Sequence, residues 1–116
     1  MRLSNNIKKD SLDFYEHLKK IYQNISSNNT VILGRSIGSG GACYLASRKN
    51  LRNLILISPF STIPNVAKDI VGCAGSCIKC HFNNIEELRE YYGNLLIIHG
   101  KVDEVIHFKH GEMLVN

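Results

Sequence analysis

Val31-Ile32-Leu33-Gly34-Arg35-Ser36-Ile37-Gly38-Ser39-Gly40-Gly41 decides how this chain is read. An apolar run, a Gly-x-Ser-x-Gly turn and a stretch of small residues follow one another. That succession predicts a buried strand, a tight turn and the start of a helix, which is the setting of a nucleophile elbow. A serine at the tip of such a turn is held in a strained conformation with its hydroxyl projecting. Strand and helix are expected to pass so closely that neither Gly34 nor Gly38 has room for a Cβ. The backbone N–H of Ile37, at the positive end of the new helix, is placed to meet an oxyanion formed on a substrate of Ser36. Alone, the pattern also suits a glycine-rich turn that holds a phosphate at a helix N-terminus. The apolar run before it and Gly41, Ala42, Cys43, Leu45 and Ala46 after it favour the hydrolase reading.

Two more apolar runs lie downstream. Leu54-Ile55-Leu56-Ile57-Ser58 stops at Pro59, and Leu95-Leu96-Ile97-Ile98-His99 leads into Gly100-Lys101-Val102-Asp103. The first is apolar on either face, as a central parallel strand covered by helices on each side is, and the second reads as a third buried strand. Helical periodicity marks Ile7 to Tyr22, with Leu12, Phe14, Tyr15, Leu18, Ile21 and Tyr22 on one face. A short helix is expected from Ile63 to Val71, with Pro64 in its first turn. Asn83 or Asn84 caps a further helix through Tyr92, which Gly93 ends. Another helix opens at Val105. The alternation gives an α/β fold, a parallel sheet with helices on both faces and the second strand between the other two. Ser36 and Asp103 each follow a strand's carboxyl end, so both emerge on the edge where such sheets bind ligands.

The chain has 116 residues, 44% of them hydrophobic and 21% charged, which suits at most one domain. A net charge of +4, with lysines and arginines scattered rather than interleaved with aromatics, points away from nucleic acid. No apolar run approaches the roughly 20 residues that span a bilayer, and the N-terminus has no signal-peptide core. The expectation is a cytoplasmic protein whose four cysteines are reduced. Cys73, Cys77 and Cys80 have the spacing with which three thiolates hold an iron–sulfur cluster, and with His81 they form a candidate zinc set. The competing reading is a loop with free thiols and no metal, and it is the one adopted.

Gly34-Arg35-Ser36-Ile37-Gly38, Ile57-Ser58-Pro59-Phe60, and Leu96-Ile97-Ile98-His99-Gly100 with Asp103-Glu104-Val105-Ile106 together resemble the α/β-hydrolase superfamily. The particular likeness is to the α/β-hydrolase domain-containing protein 17 family, serine hydrolases that remove palmitoyl groups from membrane-associated proteins. It runs from about residue 8 to 112. The resemblance implies a partial hydrolase domain over 1–116, with about three of the usual eight strands and an exposed apolar edge on the elbow strand. It implies Ser36 as nucleophile, Asp103 as triad acid and the Ile37 N–H as one oxyanion donor, and no cofactor or metal. Its substrate would be an acylated protein or lipid-like ester, and contact with the cytosolic face of membranes is left open.

In this fold the triad runs in the order Ser, Asp, His. The histidine is expected well after Asp103, beyond the last residue here. His107 and His110 are poor substitutes, because either would have to bridge to Ser36 from the acid's own segment. His99, by the resemblance, ends a core strand and is not the base. Two rivals therefore stand beside the serine hydrolase: a truncated, non-catalytic relative lacking the triad histidine, and a cysteine-rich metal-binding module.

Overall fold

A computed structural model describes residues 2–71 and 82–115. In chain order the elements are α1 (Arg2–Ile21), β1 (Val31–Arg35), α2 (Gly38–Arg48), β2 (Asn53–Ile57), α3 (Ile63–Val71), α4 (Asn84–Arg89), β3 (Asn94–Ile98) and α5 (Lys109–Val115). The three strands form one parallel sheet in the order β1-β2-β3. Leu33 lies beside Ile55 and Ile55 beside Leu96. This is the α/β arrangement that the alternating elements imply, and it matches part of an α/β-hydrolase fold.

One face of the sheet carries the core. Leu54 and Leu56 of β2 are buried there against Ala42, Cys43 and Ala46 of α2. Tyr15 from α1 and Leu114 from α5 complete the buried cluster, and Ile85 and Leu88 of α4 pack onto it. The small side chains of α2 let that helix lie close to β1. Asn50 ends α2 in the left-handed region (φ 51°), with Leu51 N–H donating to Ala46 O at 3.0 Å. A 6→1 bond around a left-handed residue is the Schellman arrangement, and asparagine tolerates it. A second cluster gathers Phe60, Phe82 and Ile106. Phe60 and Phe82 meet edge to face, with ring centroids 6.3 Å apart.

The opposite face bears Leu33, Ile55 and Leu96 in one row and Arg35, Ile57 and Ile98 in the next. Leu33, Leu96 and Ile98 are exposed there. The helical cover expected on both faces is thus found on one of them among the described residues. Three boundaries also differ. α1 begins at Arg2 rather than Ile7, because the polar residues before Ile7 contain no glycine or proline to break it. α4 stops at Arg89, since Tyr91 turns back: its N–H donates to Leu88 O (3.2 Å) and its hydroxyl to Asn94 O (3.2 Å). α5 begins at Lys109 rather than Val105, because the Asp103 carboxylate captures the N–H groups of Val105 and Ile106, both at 2.9 Å.

Candidate active site

The carboxyl ends of the three strands are stepped onto one another. Ser36 N–H, just past β1, donates to Ile57 O at 3.0 Å, and Ser58 N–H, just past β2, donates to Ile98 O at 2.8 Å. The Ser58 hydroxyl lies on the side of the Asp103 carboxylate, in the loop after β3, and helps to hold it ionised. Ser36 and Asp103 therefore sit on one sheet edge, with Ser58 between them.

Ser36 has φ 52°, a left-handed conformation that costs a non-glycine residue of order 1–3 kcal/mol. Ser58, between β2 and α3, shares that backbone region (φ 47°); Ser36 differs from it in lying within a Gly-x-Ser-x-Gly turn. The turn is held by its own carbonyl, which accepts both the N–H (3.0 Å) and the hydroxyl (2.7 Å) of Ser39. Gly40 N–H closes the next step onto Ile37 O at 3.2 Å. Ser36 is half-buried, and Ile37 is exposed immediately before α2. Ile37 is the N-cap residue of α2, and a nascent helix N-terminus leaves backbone N–H groups without intrahelical partners, so negative charge is favoured beside it.

The two elbow glycines differ. A Cβ on Gly34 would lie 2.5 Å from Ala42 Cβ and 2.9 Å from both Gly38 O and Ser39 Cα. Gly34 is therefore obligatory. A Cβ on Gly38 would meet nothing within 4 Å, which corrects the expectation that both positions are crowded. The close approach on the helix side falls at Gly40 instead, where a Cβ would lie 2.6 Å from the Phe82 ring. The reason is geometric: Gly38 opens α2 on its outer side, while Gly40 and Ala42 face the packed interior.

Asp103 has its carboxyl held below the usual carboxylate range. The Ile106 N–H is the largest cause, followed by the Val105 N–H, with the Ser58 hydroxyl and His99 adding to the effect. The His99 ring is buried beneath the loop, its Nε2 bonded to Ile106 O at 2.7 Å and 3.7 Å from Asp103 Oδ2. His107 is exposed and its Nδ1 accepts the Lys109 N–H at 3.1 Å. His110 is buried and bonded to Ser61 and Asp69, and His17 is exposed on α1. Among the described residues no histidine is bonded to Ser36. Beside Asp103 an open groove of about 560 Å³ is lined by Asp69, Lys101, Val102, Glu104, Val105, His107 and Lys109 with Asp103 itself, a mixture of charged and apolar side chains.

Cys73, Cys77, Cys80 and His81 lie outside the described residues. Among the described residues, no three His, Cys, Asp or Glu side chains gather as a metal site. Nor is any helix there long and apolar enough to cross a membrane. Cys43 is fully buried, and burial pushes its thiol up to about 12, with Glu87 a lesser cause.

Sequence reasoning missed Ser58, although the parallel register offers a signal for it. Arg35, Ile57 and Ile98 are aligned, so the next residues, Ser36, Ser58 and His99, share the carboxyl edge of the sheet. It also left open whether Asn83 or Asn84 caps α4. Asn83 is the cap, accepting Glu86 N–H at 3.2 Å, and Asn84 is wholly buried.

No family model matches the chain. Curated relatives do. An α/β-hydrolase domain-containing protein, aho-3, of Caenorhabditis elegans is 33% identical over 106 residues, covering 91% of this chain and 31% of the relative. α/β-Hydrolase domain-containing protein 17B of Homo sapiens is 35% identical over 92 residues, covering 75% of this chain and 30% of the relative. Protein 17C of Mus musculus is 33% identical over 92 residues, covering 75% and 27%. The chain spans less than a third of the length of these relatives.

Proposed function

Because the chain is a homologue of the α/β-hydrolase domain-containing protein 17 family, over about 30% of those proteins' length, we propose that it carries the nucleophile-and-acid segment of a serine hydrolase acting on acyl thioesters or esters, with palmitoylated protein as the substrate class. The observation that carries the reading is Ser36 in its turn, a left-handed residue within Gly-x-Ser-x-Gly whose Gly34 has no room for a Cβ against the following helix. Proteins keep such strain where it positions a reacting group.

In the proposed reaction the Ser36 oxygen attacks the acyl carbonyl carbon as a base takes its proton. The Ile37 N–H stabilises the developing oxyanion. Collapse of the tetrahedral intermediate expels the thiolate or alkoxide, which regains the proton and leaves an acyl-Ser36 ester. Water then attacks that ester, releasing the fatty acid and restoring the hydroxyl. Asp103 is the residue that would orient the base and stabilise its cation. Membrane contact and a cytoplasmic location belong to the same proposal, through the lipid-modified substrate.

A second reading is a hydrolase-fold relative without turnover. It is favoured by one observation: no imidazole among the described residues is bonded to Ser36. Loss of a triad base costs on the order of 10⁴ to 10⁶ in rate. A fluorophosphonate probe applied to the folded chain separates the two. Labelling that maps to Ser36 and disappears in Ser36→Ala supports the serine hydrolase. A folded chain that stays unlabelled over hours supports the non-catalytic relative.

A further inference from the structure

Burying polar side chains is costly unless they are bonded, so a group of them beside a candidate site calls for a reason. Ser39, Ser61, Asn84 and His110 are each 0–1% exposed, and they come from four different parts of the chain. They are joined in sequence. Ser39 Oγ donates to the carbonyl of Ser36 at 2.7 Å, and Asn84 Nδ2 donates to Ser39 Oγ at 3.1 Å. The second Asn84 Nδ2 hydrogen goes to Phe60 O at 2.9 Å, and Asn84 N–H goes to Ser61 O at 2.9 Å. On the far side, Ser61 N–H lies 3.2 Å and Ser61 Oγ 2.9 Å from His110 Nδ1, while His110 Nε2 lies 2.8 Å from Asp69 Oδ2.

The directions of these bonds are fixed by chemistry. Phe60 O can only accept, so the amide nitrogen of Asn84 must face it. Ser61 N–H can only donate, so His110 Nδ1 accepts and the ring proton sits on Nε2, toward Asp69. The Phe60–Ser61 peptide unit is thus gripped at both ends, its oxygen by Asn84 and its N–H by His110. Asn65 Nδ2 supports Ser61 Oγ at 2.9 Å, and Lys109 Nζ supports Asp69 Oδ1 at 2.6 Å. In a low-dielectric interior each bond polarises the next.

We infer that Asn84 and His110 are positioning residues: the relay Ser36–Ser39–Asn84–(Phe60–Ser61)–His110–Asp69 fixes the elbow carbonyl relative to α5, the helix that follows the Asp103 loop. The nucleophile and acid segments are thereby held by one buried chain of bonds as well as by the sheet. This rests on reading Ser36 as the nucleophile, yet the coupling itself is a property of the fold.

The test pairs two substitutions of opposite design. An asparagine oxygen falls where Nδ1 lies, so His110→Asn keeps the acceptor for Ser61; a glutamine nitrogen falls where Nε2 lies, so His110→Gln keeps only the donor to Asp69. The readouts are amide hydrogen exchange at Ser39 and Gly40, which close the elbow, and at Tyr22 in the turn after α1, together with the fluorophosphonate rate. His110→Gln is expected to raise exchange at Ser39 and Gly40 roughly fivefold, the worth of about one net hydrogen bond, and to leave Tyr22 unchanged. His110→Asn is expected to keep the wild-type pattern. Asn84→Asp, of the same size but without the Nδ2 donors to Ser39 Oγ and Phe60 O, should reproduce the Gln effect at the elbow and serves if His110→Gln does not fold. Equal exchange at Ser39 in all variants, or equal loss at Tyr22 and Ser39, overturns the inference. Wild-type protein that shows the exchange pattern without labelling sinks the hydrolase reading and leaves the relay standing.

Discussion

Gly34→Ala and Gly38→Ala should behave oppositely, although a motif treats the two positions alike. The added methyl at residue 34 would sit 2.5 Å from Ala42 Cβ, where carbon atoms in contact rest at about 3.5–4.0 Å. At least 1 Å must be found, and none of the three atoms met is the end of a flexible side chain: they are Ala42 Cβ, Gly38 O and Ser39 Cα. α2 cannot retreat freely, because Cys43 and Ala46 are locked in the core on the same helix. Overpacking of this kind costs about 3 kcal/mol, at the upper end of its range. The narrower unfolded ensemble of alanine returns about 0.4–1 kcal/mol, leaving a net loss of about 2 kcal/mol. At residue 38 only the favourable term operates, since the methyl meets open space. Urea denaturation followed by circular dichroism reads both. With a slope of about 2 kcal/mol per molar, Gly34→Ala should lower the midpoint by about 1 M, and Gly38→Ala should leave it unchanged or raise it. A Gly34→Ala midpoint within 0.2 M of wild type, on the order of the ordinary extrapolation error, would refute the reasoning. So would a Gly38→Ala variant that is equally damaged.

Cys43 should resist alkylation in the folded protein, since burial holds its thiol near 12. Peptide mapping after iodoacetamide should show it modified roughly a thousandfold more slowly than in denaturant, and native modification at the denatured rate would contradict its burial. Asp103 should contribute acid-sensitive stability. Its folded-state pKa is depressed below 3.8 by the Ile106 and Val105 N–H groups, so the contribution is present above the unfolded value and fades as pH falls through the folded one. Asp103→Asn should therefore lower the urea midpoint at pH 7, and the gap to wild type should close as the pH drops below about 4. A gap of constant size across that range would show that the carboxylate is not held by those bonds.

The strands were legible because apolar runs of this length, ended by Ser36, Pro59 and Gly100, leave few alternatives. The elbow was legible for the same reason, with Gly34 correctly placed by its position in the turn. Gly38 was not, since a motif states residue identity and not which side of the helix each residue faces. Ile55 and Ile57 have the apolarity of a strand covered on both sides, but that pattern reports the chemistry of a face and not what lies on it. The start of α5 was hidden because Val105 to Phe108 fit a helix locally, and only the reach of the Asp103 carboxylate to two amides removes them from it. Asn84 and His110 carried no signal at all. A buried polar side chain looks like any surface one until its partners, distant in sequence, are brought to it.

The sequential order of the sheet also sets an order of assembly. Pairing β1 with β2 closes about 20 residues, most of them α2, whereas pairing β2 with β3 closes about twice as many. Doubling a loop costs only about 0.6 kcal/mol of closure entropy, but the shorter loop also brings its own helix, with Ala42 against Gly34, as an immediate gain. The β1–α2–β2 unit is therefore the natural nucleus, and the strained serine turn lies within it. Substitutions at Gly34 or Ala42 should slow refolding, while those at Leu95 or Ile97 should chiefly hasten unfolding. A strained turn is thus among the first features to which the chain must commit.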